Sequence, residues 1–205
     1  MKKIFKYFTM IMLVLLGVGV VGCSSNEKKG YNYYMENYKY LNDKNHVFQS
    51  INYSELLGMI SDDDEAYIIY LGGSWCPNCQ CAVPFINDAA KKVGIKTVYN
   101  FDTRLDNKSK ELDIRKCNDE KQTLMWETIV KALGYTSEEY VMVNDEFVLG
   151  SDGKQIPNLH VPTAFAIKNG KVLGYVTREY IYEDMTDEEK TSFAQELEEL
   201  FKSIK

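Results

Sequence analysis

Ala66-Tyr67-Ile68-Ile69-Tyr70-Leu71-Gly72-Gly73-Ser74-Trp75-Cys76-Pro77-Asn78-Cys79 is the stretch on which the reading of this chain turns. Its first six residues form a continuous apolar run, as expected of a central strand buried on both faces. Gly72-Gly73-Ser74 breaks the run. From Cys76 to about Lys92 the pattern becomes helical, with Ala82, Phe85, Ile86, Ala89 and Val93 as the buried stripe and Gly94 as the stop. Pro77 suits the first helical position, where its missing N–H costs nothing. Cys76 therefore stands at a helix N-terminus, where unpaired N–H groups and the helix dipole favour negative charge. This lowers a thiol's pKa and supplies thiolate, the reactive form. Cys79, one turn on, can attack a mixed disulfide formed at Cys76 and release the product. The same spacing serves zinc sites, so the flanking residues have to decide between the two chemistries.

Working outward, Ile95 to Phe101 reads as the next strand. Strand, helix and strand in succession point to a parallel crossover and an α/β sheet. Upstream, His46 to Ile51 reads as a first strand. Ser54 reads as the N-cap of a short helix carrying Glu55, Leu56, Leu57 and Ile60. Asp62-Asp63-Asp64-Glu65 is a solvated turn. Downstream, Thr163 to Ile167, the turn Lys168-Asn169-Gly170-Lys171 and Val172 to Thr177 predict a hairpin with Asn-Gly at its turn. The tail from Thr186 predicts an amphipathic helix with a Thr186/Glu189 capping box and Phe193, Leu197, Leu200 and Phe201 on its buried face. Residues 104–157 are less regular: helical spacing from Lys121 to Leu133, a strand-like Tyr140 to Leu149, then the turn Gly150-Ser151-Asp152-Gly153.

A buried strand before the motif, a helix opening at it, and Trp75 preceding it together resemble the thioredoxin superfamily. Three further features match that family in place: Pro84 five residues after Cys79, Val161-Pro162-Thr163 just before a strand, and the hairpin around Asn169-Gly170. The resemblance covers Ile51 to Leu105 and Asn158 to Ile204. It implies a thioredoxin-like α/β fold, a central mixed sheet flanked by helices, with an insertion at about 104–157. It implies thiol-disulfide exchange with protein or peptide disulfides through Cys76 and Cys79, needing no cofactor beyond an electron donor or acceptor protein. It also implies that Pro162 is cis and lies against the cysteine pair, that Val161 offers backbone hydrogen bonds to an extended substrate, and that Trp75 covers the disulfide. One departure stands out. Many family members carry a buried acid six residues ahead of the first cysteine, and here that position is Tyr70. The Gly-rich entry and long insertion are loosely similar to bacteriocin transport accessory proteins. The reading from a different class is a metal-handling or secretion-accessory lipoprotein that uses the fold for binding without redox turnover. It would need a further ligand near Cys76 and Cys79.

The chain of 205 residues begins Met1-Lys2-Lys3-Ile4-Phe5-Lys6 and continues apolar to Val21, the layout of an export signal. That run is shorter than the ~20 residues of a membrane-spanning helix. It ends in Val20-Val21-Gly22-Cys23, which resembles the lipobox of bacterial lipoproteins. Residues 1–22 are then a signal peptide, 23–45 a lipidated tether and lead-in, and 46–205 the folded domain, anchored through Cys23 on the extracytoplasmic face of the cell membrane. Hydrophobic residues make up 45% of the chain and aromatic residues 13%, enough for a proper core. The net charge of −6 argues against nucleic acid or anionic lipid headgroups as partners.

Cys81 and Cys117 remain. At ~100° per residue, Cys81 is turned by about 200° from Cys79 and cannot share its face. Cys81 is read either as a buried hydrophobe or as the partner of Cys117 in a structural disulfide that ties down the insertion. His46 and His160 have no spacing that makes a ligand set.

Overall fold

The computed structural model describes residues 31–178 and 185–205. The expected signal peptide (residues 1–22), the expected lipidation site Cys23 and the tether that follows it lie outside these residues. Helix α1 (Tyr31–Asn37) leads into β1 (Phe48–Ser50), α2 (Tyr53–Ile60), β2 (Ala66–Leu71), α3 (Pro77–Val93) and β3 (Val98–Phe101). Two 3₁₀ turns (Lys110–Leu112 and Ile114–Lys116), α4 (Glu120–Ala132) and the short strands β4 (Met142–Val143) and β5 (Glu146–Phe147) make up the insertion. The chain ends in β6 (Thr163–Lys168), β7 (Lys171–Thr177) and α5 (Asp187–Lys202).

The five-stranded sheet runs β1-β3-β2-β6-β7. Strands β1, β3 and β2 are parallel, while β6 and β7 join antiparallel. This is the mixed sheet flanked by helices that the sequence predicts. Helix α5 packs on α3, with Phe85 and Phe193 rings 5.4 Å apart, and α2 packs on α4. β2 is continuously apolar because it lies in the middle of a sheet whose two faces are both covered there; Ile68, Ile69, Tyr70 and Leu71 are all buried. Edge strand β7 instead alternates half-buried and exposed residues, with Leu173 and Tyr175 outward.

Several local signals resolve differently from their sequence reading. The N-cap of α2 is Asn52, not Ser54: its side chain accepts from Glu55 N, and Glu55 returns a bond to the Asn52 N–H. Glu55 sits three residues after Asn52, the spacing a capping box requires. Tyr140 to Leu149 does not form one strand. It folds back at Asn144 and Asp145, both with positive φ (51° and 65°), into a two-residue hairpin loop between β4 and β5. Asn and Asp tolerate that left-handed conformation, which the apolar pattern around them conceals.

The lead-in segment packs into the core. Tyr34 and Tyr38 are buried, their rings stack 5.5 Å apart, and Tyr34 also stacks on Phe48 at 5.2 Å. The folded body thus includes residues that the composition alone marks only as rich in Tyr, Asn and Lys. The insertion is anchored by Trp126, fully buried, whose indole N–H donates to Pro157 O at 3.3 Å.

Candidate active site

Strand register decides what surrounds the cysteines. Leu71, the last residue of β2, lies beside Phe101 on one side and Thr163 on the other. The chain therefore leaves the sheet at Gly72 between Asp102, just past β3, and Pro162, just before β6. The C-terminal ends of parallel strands are where α/β sheets place their sites. The Val161–Pro162 peptide is cis, as the resemblance implies.

The turn from β2 to α3 is held on every side. Gly72 N donates to Phe101 O, and Asn100 Nδ2 donates to both Tyr70 O (3.0 Å) and Gly72 O (2.9 Å). Tyr34 Oη donates to Asn100 Oδ1 at 2.8 Å. Gln80 on α3 donates to Ser74 O and Asn37 O and accepts from Lys39 N, which ties the turn to the lead-in. Gly73 is required by close approach: a Cβ there would lie 2.2 Å from Trp75 Nε1 and 2.3 Å from Asp102 Oδ2.

Cys76 is the N-cap of α3 and Pro77 its first residue. The Cys76 thiol is nearly covered at 8% exposure, Cys79 is fully buried, and Cys76 Sγ faces Val161 O at 3.6 Å. The two thiols are electrostatically unlike. Cys76 is lowered to about 6, first by the Cys79 S–H that donates to it, then by the backbone N–H groups of Cys79 and Asn78 and by the Arg115 charge, against the penalty of burial. Cys79 is pushed well up, first by burial and then by the neighbouring Cys76 sulfur. One thiol is thus largely thiolate at neutral pH, and the other keeps its proton.

Trp75 is held from both sides. Its Nε1 donates to Asp102 Oδ1 at 2.8 Å. The Arg104 guanidinium carbon lies 3.8 Å from the ring centroid, and that of Arg115 lies 5.2 Å away. Buried Asp113 fixes Arg115 through bonds of 3.0 and 2.7 Å. Asp102 is raised to about 6, chiefly by burial, and its buried Oδ2 has no hydrogen-bond partner among the described residues. Asp102, Arg104 and Arg115 belong to no motif in the sequence. The available signal for the first was its place directly after a parallel strand. Arg115 comes from the insertion, and nothing local in the sequence points it at the cysteines.

The Cys81–Cys117 bridge is not formed, and no disulfide joins any of the four cysteines among the described residues. Cys81 lines a cavity of about 350 Å³ with Tyr40, Pro84, Phe85 and Asp88, while the Cys117 thiol donates to Ile114 O at 3.6 Å beside Thr123. Each thiol is accommodated by its own surroundings, and burial raises Cys117 to about 11. His160 makes a 2.7 Å bond to Glu139 at the surface, and buried His46 accepts from Phe48 N. Among the described residues no group of three His, Cys, Asp or Glu side chains could hold a metal ion.

No protein-family model matches the chain, and no curated protein matches it. Among solved structures it is similar to the oxidised thioredoxin of Plasmodium falciparum, at 14% identity and a TM-score of 0.37, over 74% of this chain and 96% of that one. It is similar to a thioredoxin of Malassezia sympodialis at 15% identity and a TM-score of 0.37, over 77% of this chain and 96% of that one. A thioredoxin-family thiol:disulfide interchange protein from Chlorobium tepidum follows at 17% identity and a TM-score of 0.32, over 74% and 86%. On its own geometry, with a mixed sheet, a helix opening at Cys76 and a cis-proline beside it, the chain has a thioredoxin-like fold.

Proposed function

We propose that this protein is a thiol-disulfide oxidoreductase acting on protein or peptide disulfides, held on the extracytoplasmic face of a membrane by lipid on Cys23. The observation that carries the reading is the contrast between two adjacent thiols: Cys76 at the N-terminus of α3 lowered to about 6, and Cys79 behind it, buried and raised. In the reducing direction, Cys76 thiolate attacks a substrate disulfide, one substrate sulfur leaves, and a mixed disulfide forms. Cys79 then loses its proton and attacks Cys76 Sγ. The mixed disulfide breaks, the second substrate sulfur leaves and takes up that proton, and a Cys76–Cys79 disulfide remains. Two electrons pass from protein to substrate, and a redox partner protein restores the dithiol. The reverse sequence oxidises a substrate dithiol.

Val161, its carbonyl beside Cys76 Sγ, supports docking of an extended chain along the segment before β6. The anchor rests on the Lys-rich start and Val20-Val21-Gly22-Cys23. The test is reduction of the insulin interchain disulfides with a small thiol as terminal reductant. Wild type should turn over, Cys76→Ser should be inactive, and Cys79→Ser should accumulate mixed disulfide. Full activity in Cys76→Ser would refute the reading. Equilibration with glutathione then assigns direction: a potential near about −270 mV marks a reductant and one near about −120 mV an oxidant.

A further inference from the structure

Cys79 poses a problem for its own step. It must become a thiolate to resolve the mixed disulfide, yet it is fully buried and burial disfavours that charge. Two phenols share its pocket. Tyr70 comes from β2 and Tyr38 from the lead-in, at 0% and 1% exposure; among the described residues neither hydroxyl makes a well-formed hydrogen bond, though Tyr70 Oη already lies against the Cys79 sulfur. Buried hydroxyls without a well-formed bond are uncommon, and two in one pocket call for an explanation. After burial itself, the Cys79 sulfur acts more strongly on each phenol than any other group.

Gly72 keeps the space between them open. A Cβ on Gly72 would lie 2.5 Å from Tyr70 Oη and 2.7 Å from Cys79 Sγ, so hydroxyl and sulfur converge on one small volume beside the backbone. The titratable groups facing Cys79 are Cys76 from α3, Tyr70 from β2 and Tyr38 from the lead-in. Both phenols stay protonated at neutral pH, so neither is a base. Each can, however, donate to an anion.

We propose that the Tyr70 hydroxyl, with Tyr38 beside it, is the hydrogen-bond donor that receives the Cys79 thiolate during resolution. This rests on the oxidoreductase reading. The Tyr70 hydroxyl already faces the Cys79 sulfur, and that contact becomes a charge-assisted hydrogen bond when Cys79 ionises. The thiolate then attacks Cys76 Sγ, the bond to the substrate sulfur breaks, and the proton from Cys79 ends on that departing sulfur. Tyr70 keeps its own proton throughout.

The experiment follows the full chain by rapid acid quench and mass spectrometry during reaction with a peptide disulfide. Tyr70→Phe removes the hydroxyl and nothing else. The mixed disulfide through Cys76 should form at the wild-type rate but persist about tenfold longer or more, the weight of a hydrogen bond to a charged group. 3-Fluorotyrosine at position 70, close to tyrosine in shape and a better donor, should shorten its lifetime, and it decides the matter if the phenylalanine variant does not fold. A lifetime equal to wild type in the variants that fold overturns the proposal and leaves Tyr70 a packing residue. A wild-type protein that never forms a mixed disulfide at Cys76 overturns the oxidoreductase reading itself.

Discussion

The indole N–H of Trp75 donates to Asp102 Oδ1 at 2.8 Å, so the side chain next to Cys76 is steered by a carboxylate standing just past β3. That carboxylate is raised to about 6, mainly by burial. A raised acid stabilises the fold fully below its unfolded value near ~4 and loses that contribution as pH rises through 6. Asp102→Asn keeps an acceptor for Trp75 and removes the titration. The stability difference between pH 4.5 and 7.5, from urea unfolding, should shrink by about 1–2 kcal/mol in the variant.

Cys76 is lowered to about 6, so alkylation of the reduced protein at neutral pH should label Cys76 first, with a midpoint near 6. The linkage has the opposite sign to that of Asp102. A depressed thiol stabilises the reduced fold above the unfolded value of ~8.5 and loses that contribution as pH falls through 6. Cys76→Ser should flatten the reduced protein's stability across that window. Cys79 labelling first would contradict the assignment.

Arg115 reaches the site from the insertion, stacking toward Trp75 at 5.2 Å and favouring the Cys76 thiolate. Arg115→Gln should slow Cys76 alkylation at pH 6 by about twofold, and most of the difference should survive added salt, because both groups are largely buried. An unchanged rate at low salt would remove the insertion from the electrostatics of the site.

Trp126 is fully buried and holds α4 against Pro157. Trp126→Ala should cost about 3–5 kcal/mol by leaving a cavity. Part of the effect should reach the site: with Arg115 loosened, Cys76 alkylation at pH 6 should also slow. Calorimetry and thiol labelling on the same sample test both halves.

Cys23→Ala should release the protein from the membrane fraction or leave it unprocessed. Wild-type fractionation and migration in the variant would end the anchoring reading, without touching the chemistry at Cys76.

The strand from Ala66, the helix opening at Cys76, the Asn-Gly hairpin and the capped terminal helix are all legible in the residues alone. Each is written in a short window: an unbroken apolar run, period-3.6 burial, an Asn-Gly turn, a proline at the first helical position, a capping residue three places before a glutamate. The spacing also placed Cys79 one turn behind Cys76. What those thiols face, by contrast, depends on long-range packing. Asp102 meets Trp75 because β3 lies in register with β2. Tyr38 reaches Cys79 because the lead-in folds back over the turn. Arg115 reaches Trp75 because the insertion returns to the site. The same distinction explains the Cys81–Cys117 expectation: composition offered two cysteines besides Cys76 and Cys79, but pairing depends on where two distant segments settle. Caps and periodicity act within a turn or two of the chain, whereas the field around a buried thiol is set by groups tens of residues away that packing brings within a few ångströms.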